Sequence, residues 1–217
     1  MKIIISSGHG KYIRGASGYL DEVDEARKVV EAVADIWRES GVDVQTFHDD
    51  TSHSQSENLN RIVDYHNAQS RDLDVSVHFN AYVETSSPMG TEVLYVTQSS
   101  LASKVSAALA GAQGLPNRGG KYRSDLFFLN ETEEPAILIE TCFVDSSADA
   151  EAYNNRFDQA CQAIAESIAG DAMQPPTGGN QPPNERPPVA TEQVVDVQIY
   201  APSGVRVDVS VNQKTEG

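Results

Sequence analysis

The sequence predicts an α/β domain with a mainly parallel sheet flanked by helices on both faces, followed by a short C-terminal β-hairpin tail. Three observations lead there. Short apolar runs rich in β-branched residues alternate with longer segments of helical periodicity through residues 1–173. That alternation implies crossover helices covering both faces of a parallel sheet. A proline-rich stretch then breaks the pattern, and beyond it the apolar period switches to two.

The elements follow in order. Ile3 to Ser6 reads as a short buried strand. From Glu22 to Ser40, the residues Val29, Val30, Val33, Ile36 and Trp37 recur at helical spacing, and Gly41 supplies a stop. A strand is expected at 42–47, then a helix marked by Leu59, Ile62 and Val63, then strands at 75–80 and 91–96. Leu101, Val105, Ala108 and Leu109 mark a third helix, and a strand is expected at 136–141. A last helix spans 148–169, with Tyr153, Phe157, Cys161, Ile164 and Ile168 along one stripe. Six of the ten prolines fall between Met173 and Val189, so residues 174–188 read as an extended linker. In the tail, 189–217, Val195, Val197 and Ile199 face Val205, Val207, Val209 and Val211 across a turn at Pro202-Ser203-Gly204. A lone hairpin is marginal in water, so this one is expected to pack on something.

Composition narrows the function. The chain of 217 residues carries 16 basic and 32 acidic side chains, a formal charge of -16. Residues 1–173 hold 13 of the basic and 27 of the acidic ones, so the acidity belongs to the body. Such a surface repels phosphate backbones, which argues against a nucleic-acid partner. No apolar run approaches the roughly 20 residues of a spanning helix, so no membrane insertion is expected. Cys142 and Cys161 are too few for a disulfide scaffold or a four-thiolate zinc site. Met1-Lys2 leads into only Ile3-Ile4-Ile5, which is not a secretory leader, so synthesis in the cytoplasm is expected.

In an open α/β sheet, ligands bind beyond the carboxyl ends of the strands. Those ends carry Ser7-Gly8-His9-Gly10, Ser76-Val77-His78-Phe79-Asn80 and Ile137-Leu138-Ile139-Glu140-Thr141, and Glu22 at the start of the first helix reaches the same rim. Two imidazoles and one carboxylate form a catalytic zinc set, with the fourth position left for water. A further carboxylate is then needed to carry the proton. His9, Glu22 and His78 as ligands and Glu140 as that carboxylate would supply all four parts. Each has a plainer reading. His9 can be a turn histidine and His78 a hydrogen-bonded core histidine. Glu22 competes with Asp21, Asp24 and Glu25 for favouring a helix N-terminus. Glu140 is the least ordinary, because an acid after four apolar residues is costly to bury without an answering charge or metal.

The segments around Ser7-Gly8-His9-Gly10, Gly15-Ala16-Ser17 and Glu22, then Ser76-Val77-His78-Phe79-Asn80-Ala81, then Pro135 to Phe143 resemble the zinc-dependent N-acetylmuramoyl-L-alanine amidase family, over residues 1–170. The resemblance implies a twisted α/β sheet, one zinc held by His9, Glu22 and His78, and Glu140 as the catalytic acid. It implies cleavage of peptidoglycan between the lactyl group of N-acetylmuramic acid and L-alanine. Two departures stand out. Cys142 replaces a frequent glycine and reads as a fourth ligand or as inert packing. Lys11 and Tyr12 stand where a further glycine is common.

Other residues carry paired readings. His48, Asp49, Asp50 and His53 are a second metal set or a solvated loop, and His66 packs or hydrogen-bonds on its helix. Arg118 and Lys121, in Asn117-Arg118-Gly119-Gly120-Lys121, which reads as a Gly-rich loop, meet a stem-peptide carboxylate or are solvated charge. Asn80 binds substrate or fixes its loop. The functional expectation is a phage endolysin-like amidase that reaches the wall after release from the cytoplasm, with the tail gathering copies into a homo-oligomer. The alternatives are a zinc peptidase acting within the stem peptide, a leaderless bacterial or spore amidase, and a non-catalytic wall-binding module.

Overall fold

The computed structural model describes residues 1–173, and the linker and tail expected at 174–188 and 189–217 lie outside the described residues. The chain runs β1 (Lys2–Ser7), α1 (Glu22–Glu39), β2 (Asp43–Phe47), α2 (Gln55–Asn67), β3 (Leu73–Asn80), β4 (Thr91–Tyr95), α3 (Ser99–Gln113) and β5 (Asn117–Tyr122). It continues through α4 (Phe127–Glu131), β6 (Ala136–Phe143), α5 (Ser147–Asn155) and α6 (Phe157–Ala169). Six strands form one sheet in the order β2-β1-β3-β6-β4-β5. Neighbours are parallel except β4 and β6, which are antiparallel, so the mainly parallel α/β fold is observed.

Two expectations are corrected. The Gly-rich segment holding Arg118 and Lys121 is the edge strand β5, not a loop. It lacks an apolar run because it packs little of its surface. The single helix expected at 148–169 is two helices, broken at Arg156, which leaves helical geometry at φ -132°, ψ 29°.

Local chemistry sets the helix starts. Asp21, extended in backbone, accepts from the Asp24 N–H at 3.2 Å, and Ser54 caps α2 through the Glu57 N–H at 3.3 Å. The helices then form two unequal layers. On one face Val29, Val33 and Trp37 of α1, Leu109 of α3 and Ile164 of α6 meet Val75, Val77, Val93, Ile137 and Ile139 of the sheet. Trp37 Nε1 donates to the Ala165 carbonyl at 3.1 Å, tying α1 to α6. On the other face Ile62 and Val63 of α2 and Phe128 of α4 meet Leu94 and Leu138 in a smaller cluster.

Strand alternation then decides which residues face that second, partly uncovered side. Val75 and Val77 belong to the large core, so Ser76 and His78 face the α2 side; likewise Leu138 and Glu140 on β6, and Glu92 and Leu94 on β4. His78 pairs with Glu140, and Glu140 with Glu92, so the three stand in a row across adjacent strands. Immediately after Glu140 the register slips: Asn80 pairs with Phe143, a one-residue bulge on β6. Unbroken alternation would put Cys142 on the face of Glu140. The bulge turns it into the large core, where it is fully buried.

One buried carboxylate ties the C-terminal end of β6 to the loop before β4. Asp149 accepts from the backbone N–H groups of Met89 (2.7 Å), Gly90 (3.0 Å) and Phe143 (3.0 Å). Asp149→Asn keeps one accepting oxygen but sets an NH2 group against backbone N–H donors. It should lower unfolding free energy by roughly 1–3 kcal/mol, seen as a lower urea midpoint at unchanged slope. An unchanged midpoint would mean that other contacts hold the loop.

Candidate active site

The site begins where β1 ends. Gly8 donates its N–H to the Val77 carbonyl at 3.0 Å, and the His78 ring lies directly over it. A Cβ at Gly8 would fall 1.7 Å from His78 Nε2, so only glycine admits the imidazole. Gly15, at φ +70°, leaves space in the same way for Glu22 Oε2, which a Cβ would approach to 2.3 Å. These two glycines let β1, β3 and α1 deliver side chains to one point.

There His78 Nδ1 lies 3.1 Å and His9 Nε2 3.5 Å from Glu22 Oε1. The two rings stand edge to face, with centroids 5.0 Å apart. Glu22 is buried, and its orientation is set by backbone: Oε2 accepts from the Ala16 N–H at 2.7 Å and Oε1 from the Phe79 N–H at 3.1 Å. Among the described residues, His9, Glu22 and His78 are the one set of three His, Cys, Asp or Glu ligand atoms converging within 4.8 Å.

Electrostatics follow from this packing. Burial lowers the His9 pKa, helped by the neighbouring His78, so His9 favours the neutral form. Burial opposes charge on Glu22, yet the hydrogen bond and charge of His78 and the charge of His9 outweigh it and keep the carboxyl ionised. Burial also opposes charge on His78, but Glu22 and Glu140 raise its pKa. For Glu140 the nearby positive groups, His78 and Arg123, fall short of the cost of burial. Burial pushes its carboxyl up to about 7, against the pull of His78 and with the push of Glu22 and Glu92. Glu140 Oε2 and His9 Nδ1 are buried without a protein hydrogen-bond partner.

The other candidates sort themselves by contact. Asn80 donates to Glu92 Oε1 at 3.2 Å and Arg118 Nε to Glu92 Oε2 at 2.7 Å, with the Arg118 guanidinium 4.9 Å from the Phe143 ring centre. Both are therefore committed to Glu92, a residue unremarkable in sequence that the β4–β6 register sets beside Glu140. Lys121 is exposed on β5 opposite Leu94, one step removed from the glutamate row.

The loop after β2 does not gather a second metal set. His48 bonds Ser7 Oγ and Glu31 at 2.9 and 3.0 Å, Asp50 pairs with Arg27 at 2.7 Å, and His53 stacks on Tyr12. Asp49 accepts from the N–H groups of Thr51 and Ser52. His66 lies between Asp74 Oδ1 (2.7 Å) and Ser6 Oγ (3.0 Å), and Arg71 clamps Asp74. The order resembles a serine–histidine–aspartate triad. All three side chains are sealed from solvent, so the row serves to join α2 to β1 and β3.

Residues 3–170 match the N-acetylmuramoyl-L-alanine amidase family. The chain belongs to that family. It is 31% identical over 172 residues to the N-acetylmuramoyl-L-alanine amidase LytC of Bacillus subtilis, which covers 75% of this chain and 34% of that protein. It is 29% identical over 188 residues to an uncharacterized 38.4 kDa protein of Clostridium perfringens, covering 80% of this chain and 55% of that one. The chain thus spans about half the length of the first curated relatives it matches. Among solved structures, the catalytic domain of the CD27L endolysin targeting Clostridia difficile is similar at a TM-score of 0.71 and 25% identity, covering 78% of this chain and 97% of that one.

The raised pKa of this family member's Glu140 has a consequence for stability. Its native pKa of about 7 exceeds the ordinary 4.5, so the metal-free native state binds the proton more tightly than the unfolded chain. Stability is then full below about pH 4.5 and declines as pH rises through about 7. Part of the side chain meets solvent, which holds the effect to about 1–3 kcal/mol. Metal-free Glu140→Gln should match wild type at pH 4 and exceed it by that amount at pH 8 in urea unfolding. An advantage independent of pH would mean that the carboxyl titrates normally.

Proposed function

We propose that the chain is a zinc-dependent peptidoglycan hydrolase that cleaves the amide between the lactyl group of N-acetylmuramic acid and the L-alanine of the stem peptide. The observation that carries this reading is the convergence of His9, Glu22 and His78 beside the unpartnered Glu140 oxygen. The donor set fits zinc: two imidazoles and one carboxylate leave a coordination position open. His9 favours the neutral form a ligand requires, and Glu22 is already oriented by two backbone N–H groups. Zinc, when bound, supplies Lewis acidity that makes water acidic near neutral pH and polarises a carbonyl.

The protein supplies the rest. Glu140 takes the proton from the attacking water and gives it to the alanine nitrogen as the amide breaks, so one carboxyl serves as base and then acid. A pKa near 7 suits both halves of that cycle. Glu92 positions it: its charge, fixed by Asn80 and Arg118, favours the protonated form of its neighbour. The cellular role we attach is lysis of the endolysin kind, with synthesis in the cytoplasm and access to the wall on release, in keeping with the likeness to the CD27L catalytic domain. The apolar hairpin expected at 189–217 would add self-association. Among the described residues no helix is long and apolar enough to cross a membrane.

Purified peptidoglycan treated with zinc-loaded protein should gain new amino termini that are all L-alanine. Chelation should abolish their release and zinc restore it, while Glu140→Ala should bind zinc but turn over about 10²–10⁴ times more slowly. Termini internal to the stem peptide would make it a peptidase, and full activity without metal would end the zinc reading.

A further inference from the structure

A cavity of about 370 Å³ opens from His9, His78 and Glu140 between the sheet and the α2 and α4 side chains that partly cover this face. Its floor is apolar, where Ile62 and Phe128 pack against Leu94 and Leu138. Arg123 is the one lysine or arginine lining it. The Arg123 backbone is fixed, its N–H donating to the Tyr95 carbonyl at 2.9 Å, which extends the pairing of β4 and β5. Its side chain is 43% exposed and forks onto Asp125, itself 66% exposed, at 2.8 Å through both Nε and Nη2. So open an ion pair is worth little, and the guanidinium can exchange that carboxylate for another.

We infer that this cavity is the stem-peptide subsite and that Arg123 recognises the free α-carboxylate of its second, γ-linked glutamate. The inference rests on the amidase reading above. With the scissile carbonyl at the triad and the scissile nitrogen at Glu140, the chain beyond the nitrogen continues into the space that Glu140 lines. The apolar floor suits the side chain of a peptide branch rather than a polyhydroxylated glycan strand. The alanine methyl meets Leu138 and Leu94. The glutamyl α-carboxyl follows within roughly 7 Å of the scissile nitrogen by chain length. Asp125 and Glu140 line the cavity, so a free carboxylate there needs a cation, and the fork geometry of arginine suits a carboxylate bidentately. A carboxamide at the same position, as in walls whose glutamate is amidated, would lose the charge and one acceptor.

The test is calorimetric binding of two tripeptides, L-alanyl-γ-D-glutamyl-L-lysine and its α-carboxamide, to zinc-loaded full-length protein. The free acid should bind roughly ten- to a hundredfold tighter. Arg123→Gln should erase that preference while binding the carboxamide as wild type does, Arg123→Lys should keep part of it, and Asp125→Asn should strengthen acid binding several-fold. Equal affinity for the two peptides, or a preference that survives Arg123→Gln, would overturn the inference. Release of L-alanine termini from peptidoglycan is measured alongside. Discrimination without cleavage would leave the subsite standing and remove the amidase reading, and cleavage without discrimination would do the reverse.

Discussion

Glu22 is an ionised carboxylate buried to 3% exposure, and removing such a charge from water costs several kcal/mol unless it is answered. The fold answers it from three directions. The loop after β1 offers the Ala16 N–H, β3 offers the Phe79 N–H, and two imidazoles lie against Oε1. Its place in the first turn of α1 adds the favourable end of the helix dipole. Much else follows from satisfying this one group. Gly8 and Gly15 must lack side chains, β1 and β3 must be neighbours, and α1 must start where Asp21 caps it. A metal at this point would replace interactions already aimed inward rather than assemble new ones.

The second constraint is the register of three strands. His78, Glu140 and Glu92 share a face because β3, β6 and β4 are adjacent with those residues paired. The bulge just past Glu140 lets one strand serve two purposes: Glu140 faces the site, while Cys142 packs in the opposite core. Burial there also pushes the Cys142 thiol far up, away from the thiolate that a metal would need. The proposed proton carrier and the inert cysteine thus differ by a single inserted residue.

Much of this was legible in the sequence, for identifiable reasons. Apolar runs such as 136–141 and helical stripes such as Val29, Val33 and Trp37 report burial directly, and burial decides both the sheet and its covering helices. The histidines after β1 and within β3 stand out because ligands gather at strand ends. What stayed hidden depends on partners. β5 is an edge strand containing Gly119 and Gly120, so it has no apolar signature. Glu92 and Arg123 gain meaning only from strand pairing across the sheet, and Arg118 turned out to hold Glu92. Cys142 was ambiguous because a bulge is invisible to a period-two count. Asp149 looks like any residue of a helix's first turn until the backbone N–H groups it accepts from are seen.

In the proposed site two imidazoles and one carboxylate, with no thiolate, hold a single zinc at the meeting point of β1, α1 and β3. Zinc K-edge X-ray absorption on the loaded protein tests it most directly. Nitrogen and oxygen neighbours at about 2.0–2.2 Å, with imidazole scattering from two rings, are the expected result. A sulfur scatterer at about 2.3 Å would place Cys142 or Cys161 on the metal and contradict it.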